Sequence, residues 1–139
     1  MTTYADIGWG TFIEVETAAG SGVFFELGEV TGITPPNASI DQIEVTHMRS
    51  PLRTKEYVSG LGDPGEMSVD LNYVVGGATD DFILAWRADG STRATRIRHP
   101  SADIDTFPSF ITSYAPHIPV ADKKSATLGL KVAGAVIRT

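Results

Sequence analysis

The chain has 139 residues, no cysteine, 42% hydrophobic and 20% charged residues, and a formal net charge of -6. That size suits one domain with one core, and that composition excludes a disordered chain, a disulfide framework and a thiolate metal site. The charge is uneven: residues 1–48 hold seven acids and no Lys or Arg, whereas residues 49–139 hold ten acids and all eleven basic residues. Such an acidic surface repels nucleic acid, and by itself it serves solubility. No basic stretch leads into an apolar run at the start, and no run approaches the ~18 apolar residues of a membrane span, so neither a signal peptide nor a membrane helix is expected.

Glycines (14) and prolines (8) punctuate short runs rich in Val, Ile, Phe and Thr, which predicts a mainly β chain. Residues 11–17 form the first expected strand, with Ile13 and Val15 alternating against Glu14 and Glu16. Residues 23–33 form the second, with Val23, Phe25 and Leu27 on one side and a bulge at Gly28. Pro35 and Pro36 end it. The third spans residues 37–48, with Ile43 and Val45 inward and Gln42, Glu44 and Thr46 outward. A long charged loop over residues 46–65 follows, closing on a turn at residues 60–65. Residues 66–74 alternate most cleanly, with Met67, Val69, Leu71 and Tyr73 on one face.

The period then changes. Phe82, Ala85 and Trp86 stand at i, i+3 and i+4, the spacing of one helical face. Thr79 suits an N-cap, Asp80 and Asp81 suit the N-terminal dipole, and Gly90 suits the C-cap. Strands are expected again at residues 92–99, 106–114 and 125–132, giving about seven strands and one helix.

The sequence offers little for catalysis. His47, His99 and His117 have no metal-ligand spacing, and no nucleophile elbow, phosphate loop or dinucleotide fingerprint occurs. No catalytic, cofactor or metal residue is assigned. Arg93, Arg96 and Arg98 with His99 could meet phosphate, but no aromatic residue interleaves with them in sequence. A protected strand edge or interface salt bridges are the favoured explanation.

The order of parts resembles that of tail tube proteins from long-tailed, lambda-like bacteriophages. The pieces that carry the resemblance are Ile43-Glu44-Val45-Thr46, the loop from Ser50 to Lys55, Gly60-Leu61-Gly62-Asp63-Pro64-Gly65 with Ser68, and the alternating run from Met67 to Tyr73. The helix, "GSTRATRIRHP" and the closing "FITSYAPHIPVADKKSATLGLKVAG" extend it over roughly residues 37–135. The resemblance implies a non-enzymatic subunit without cofactor: a β-sandwich or barrel-like tail tube fold with one flanking helix and a long central hairpin loop. It implies one domain over residues 1–139 without a C-terminal immunoglobulin-like domain. Hexameric rings would stack into a tube, assembled in a host cytoplasm and resident in a virion tail.

Implied partners are further copies of the chain, a tape measure protein, and tail terminator and distal tail proteins. DNA would pass through without specific binding, and no membrane is involved. The loop, with Arg49, Ser50, Arg53, Lys55, Glu56 and Asp63, would fold on an adjacent ring rather than on itself. Glu14, Glu16, Glu26 and Glu44, on the polar sides of their strands, would line a negative lumen. A monomeric β-sandwich binding module, or the tube of a related secretion or gene-transfer particle, stays open as an alternative.

Overall fold

Apolar residues at every second position build the strands, and the computed structural model describes residues 8–139. Of the expected domain, residues 1–7, including Asp6, lie outside the described residues. The strands are β1 (Phe12–Glu16), β2 (Phe24–Glu26), β3 (Val30–Thr34), β4 (Ser39–Glu44), β5 (Tyr57–Asp63), β6 (Glu66–Asn72), β7 (Arg93–Arg98), β8 (Ile104–His117), β9 (Ser125–Val132) and β10 (Ile137–Arg138). A single α-helix among the described residues, α1 (Ala78–Asp89), follows β6. Strand β9 has the bounds expected from its alternation, with Ala126, Leu128, Leu130 and Val132 all buried.

One sheet runs in the order β2-β1-β7-β8-β9-β6-β3, with β10 added to β8. Its two end strands are neighbours in sequence, separated by residues 27–29. The Leu27 amide donates to the Ile13 carbonyl and the Asn72 amide donates to the Glu29 carbonyl. The sheet therefore curls until its ends meet in one segment, a barrel-like sandwich that leaves few open edges. The expected single strand over residues 23–33 is thus two strands serving two partners. The break is at Glu29, whose φ of 57° is a left-handed conformation rather than a bulge at Gly28.

Strand β8 carries the turn of the sheet. Its first half pairs with β7 and its second half with β9, with a register shift between Ile111 and Ser113. Ile13, Val15, Ile97, Phe107, Val69, Leu71, Leu128 and Leu130 from both halves join in one core.

The helix packs on that core through Ile83 and Trp86, both fully buried, with Phe82 partly so. Phe82 stacks on Phe25, ring centroids 4.6 Å apart, and the Trp86 indole N–H donates to the Ser91 carbonyl. Ala85 is exposed, a correction to the expected face, because the helix is gripped by Ile83, one position after Phe82, together with Trp86. The N-cap is Gly77, not Thr79: the turn from Val74 to Gly77 starts the helix sooner. The Thr79 hydroxyl instead accepts the Gly28 amide. Gly90 closes the helix in the left-handed conformation, φ 68°, as expected of a C-cap glycine.

Two further expectations change. Residues 57–63 are strand β5, so the long loop is a hairpin whose connection is residues 45–56, and only residues 63–65 form the turn into β6. Gly65 makes that turn at φ 82°, where a Cβ would lie 2.3 Å from the Asn37 carbonyl oxygen. Strand β10 was not anticipated, since two residues carry no period.

Truncating Trp86 to Ala should cost about 3–5 kcal/mol in urea unfolding, because it empties the largest fully buried side-chain site. Ala85→Ser should stay within about 0.5 kcal/mol. Equal losses for both would refute this helix packing.

Candidate assembly interface

The β4–β5 hairpin stands apart from the barrel. Among the described residues its strands pair only with each other, and nothing covers either face. Ile43 sits opposite Val58, and Glu44 opposite Tyr57. Ile40, Ile43, Val45, Met48, Leu52, Tyr57, Val58 and Leu61 are all exposed, Leu52 by 95%. The expected inward placing of Ile43 and Val45 is therefore corrected: the alternation is real, but both side chains are exposed and no described residue lies behind them. A lone two-stranded hairpin is marginal in water, and a large exposed apolar surface marks a place where something docks.

The hairpin tip is built, not slack. The His47 amide donates to the Ser50 hydroxyl, which donates to Glu56 at 2.7 Å, and the Glu56 amide donates to the Thr46 hydroxyl. His47 lies 3.5 Å from the same carboxylate. Leu52 and Arg53 both take positive φ, 54° and 56°. Two successive non-glycine residues in this region cost about 1–3 kcal/mol each and commonly sit where a loop does work.

Of the residues expected in an inter-ring loop, Arg49, Ser50, Arg53, Lys55 and Glu56 come together here. Asp63 does not. It ends β5 at the hairpin base, accepts from the Gly65 amide, and pairs with Lys131 at 3.1 Å. Those contacts lower its pKa, the Gly65 amide most.

The four glutamates expected along a lumen separate. Glu16 is 7% exposed, so it faces no channel. Its strand ends under the turn that precedes β2, where the carboxylate accepts the Gly22 and Ala94 amides at 2.9 Å each. Burial raises its pKa, but the Ala94, Gly22 and Gly20 amides and Arg93 together outweigh that and leave it lowered. Glu14 is bound between Arg96 and Arg98. Glu26 and Glu44 are exposed.

The arginines of β7 are structural. The strand lies between β1 and β8, not at an edge, and its cations contact carboxylates and aromatic rings of this chain. Arg93 is buried against Phe82 and Trp86 and pairs with Asp89, Arg96 lies 3.6 Å from the centre of the Phe24 ring, and Arg98 stands over Phe12. The aromatics missing from their sequence neighbourhood arrive from β1, β2 and the helix.

At the far end of β6 lies a cleft of about 200 Å³ lined by Glu29, Leu71, Val74, Ala78, Asp80 and Tyr114, among others. Asp80 is more than a dipole partner: it is 5% exposed, and accepts the Tyr114 hydroxyl at 3.0 Å and the Gly76 amide at 3.2 Å. Burial, then the bond to Asp80, pushes the Tyr114 hydroxyl well above its ordinary pKa. Elsewhere Asp105 takes two bonds from Arg138 and one from His99, fastening β10. Arg138 contributes most to holding the Asp105 pKa low, against its burial. Among the described residues no three His, Asp or Glu side chains converge as metal ligands, and no helix is long and apolar enough to cross a membrane.

Comparison with known proteins gives three kinds of result. The profile of the family described as "Lambda phage tail tube protein, TTP" matches residues 14–137. No curated protein matches the chain. Among solved structures, a chain from the tail of an empty gene transfer agent (GTA) particle, refined with C6 symmetry, superposes with a TM-score of 0.81 at 21% identity, covering 97% of this chain and 99% of that one. A chain of an extracellular contractile injection system, at its sheath/tube terminator, gives 0.73 at 14% identity over 100% and 99%. The SPP1 tail tube protein gives 0.70 at 11% identity over 93% and 76%. At these identities the superpositions establish the fold.

The lowered pKa values of Glu16 and Asp105 set a sign for acid stability. A carboxylate with a lowered folded pKa contributes stability above its unfolded value near pH 4, and loses it as pH falls through the folded value. Glu16→Gln leaves one amide facing an NH₂ group. It should cost about 1–3 kcal/mol at neutral pH, with the gap to the unsubstituted chain narrowing below about pH 4. Glu44→Lys should stay within about 0.5 kcal/mol throughout. Urea unfolding across the acid range checks both, and a gap that keeps its size down to about pH 2 would contradict the assignment.

Proposed function

Since the chain belongs to the lambda phage tail tube protein family, we propose that it works by self-assembly: six copies form a ring and rings stack into a hollow tube. The observation that carries this is the β4–β5 hairpin, a formed element whose apolar side chains lie exposed on both of its faces. A subunit that keeps such an element in water needs a partner to cover it, and further copies are the partner always present. The C6 symmetry of the GTA tail supports six copies. Its likeness also favours a second setting for the same tube, a gene transfer particle rather than a virion. Tape measure, terminator and distal tail proteins would meet the tube inside and at its ends. The chain would act as one domain and by structure rather than catalysis.

The wall facing the transported DNA is better sought on the β8–β9–β6–β3 half than at the expected glutamates. There the outward residues pair in rows, Thr34–Ser68–Gly129–Ser113 and Gly32–Asp70–Thr127–Ala115. They are short and mostly hydroxylic or acidic. The lysine of this face, Lys131, is paired with Asp63. The lysine is thus taken up, which leaves a polyanion little to hold, although His117 stands exposed at the end of this face opposite Ser125 and Phe110 lies half-buried opposite Lys131. Glu14 is already paired with Arg96 and Arg98 on the other half, which carries stacked cations and aromatic rings.

Replacing residues 47–55 with a two-residue Asn-Gly turn should move the melting temperature by less than about 5 °C and abolish tubes in electron micrographs. Tubes of normal length would sink the assembly role of the hairpin. For the wall, Ser68→Arg with Thr127→Arg should still assemble but slow DNA release from particles, whereas Glu26→Lys should not. Normal release from the double-arginine particles would move the wall elsewhere.

A further inference from the structure

Resting on the tube reading above, we infer that copies join head to tail by a knob and socket: Leu52 at the hairpin tip of one copy enters the cleft beside the helix N-terminus of the next. Direction is the first ground. Strand β6 leaves the hairpin base at Glu66 and reaches the cleft at Leu71 and Asn72, about 20 Å further on at ~3.3 Å per residue. Knob and socket therefore lie at opposite ends of one strand. A protrusion at one end and a cavity at the other make a heterologous contact, which repeats along an axis instead of closing a two-fold dimer.

Shape is the second ground. Leu52 is 95% exposed, on backbone whose left-handed turn at Leu52 and Arg53 is tied down by hydrogen bonds on both sides. The cleft floor is Leu71, Val74, Ala78 and Tyr114. Val74 itself is exposed in the cleft, and Val75 is exposed beside it, as are Ile118 and Val120 in the connection from β8 to β9 at the same end. Buried inside a neighbour, these apolar groups would leave water together with Leu52 and Met48.

Charge is the third. Arg49, Arg53 and Lys55 surround the knob, and none has an acid within ion-pair distance among the described residues. Glu29 lines the cleft and Asp81 stands at the start of the helix, and neither has a cation partner among the described residues. Asp122, Lys123 and Lys124, in the same β8–β9 connection, do not line the cleft. A basic tip entering an acidic rim fixes the order of copies, because two tips or two rims repel.

The absence of cysteine makes introduced thiols unique. Tubes of Leu52→Cys/Val74→Cys treated with a short bis-maleimide should give a ladder of covalent dimers, trimers and longer chains on a denaturing gel. Each single variant should give no ladder, and neither should Leu52→Cys/Glu26→Cys. If Leu52→Cys prevents assembly, Lys55→Cys/Asp81→Cys should give the same ladder. Tubes visible by electron microscopy without a ladder from either pair would overturn the socket while leaving the assembly reading standing. An equal ladder from the Glu26 control would overturn it too. Failure of the unsubstituted chain to form tubes would remove the assembly reading, and the socket with it.

Discussion

The closure of the sheet through residues 24–34 is the constraint from which the rest follows. One short segment bonds to β1 at its start and to β6 at its end, with the left-handed Glu29 turning between them. Without that corner the path β1-β7-β8-β9-β6 would be an open sheet with two long edges. With it, the two halves face each other over a shared core, and the helix lies against that core through Ile83 and Trp86. Closure also decides where the chain goes next. β3 runs out of the barrel at Thr34, Pro35 and Pro36 forbid further pairing, and the hairpin can only project.

Much of this was legible in the sequence wherever one side of a strand is covered by the chain itself. Met67, Val69 and Leu71, and the four apolar residues of β9, alternate because their partners are internal. The helix was legible from Trp86 and Gly90, although Ile83, which grips the core, hid outside the chosen spacing. The hairpin misled for a physical reason. Its alternation signals one face for burial, and periodicity does not say whether the cover comes from the same chain. Glu16 misled differently: it obeys the polar side of its strand, yet the turn before β2 folds over it with the Gly22 amide and β7 supplies the Ala94 amide. Nothing in the local pattern reports a contact made by Ala94, far along the chain. Asp80 was hidden likewise, since a helix N-terminus accounts for an acid whether or not a Tyr114 hydroxyl waits above it.

The buried polar groups share a logic that the apolar core does not supply. Glu16 ties β1 to β7 through the Ala94 amide, Asp80 ties the helix to β8 through Tyr114, and Asp105 ties β10 to β8 through Arg138. Each spans two elements whose apolar contacts alone would let them slide. A paired buried carboxylate adds modest net stability, but leaving one unpaired is costly, so these ties favour one register over its neighbours. The arginines of β7 do related work on the outside, covering Phe12 and Phe24 while Glu14 pairs with Arg96 and Arg98.

The molecule thus divides into a part that is complete alone and a part that is not. The barrel closes its edges, buries its core and satisfies its internal acids. The hairpin keeps eight large apolar side chains in water and a strained tip. In an isolated subunit that exposure is balanced by a net charge of -6, which keeps copies apart through repulsion that salt weakens. The proposed assembly would reverse the balance: hairpin burial would grow with every added neighbour, while charge repulsion is screened beyond about 8 Å at physiological ionic strength. A chain built this way folds first and associates second, because its barrel needs nothing from a partner. On the assembly proposed above, its association is then tied to concentration, since another copy supplies the missing cover.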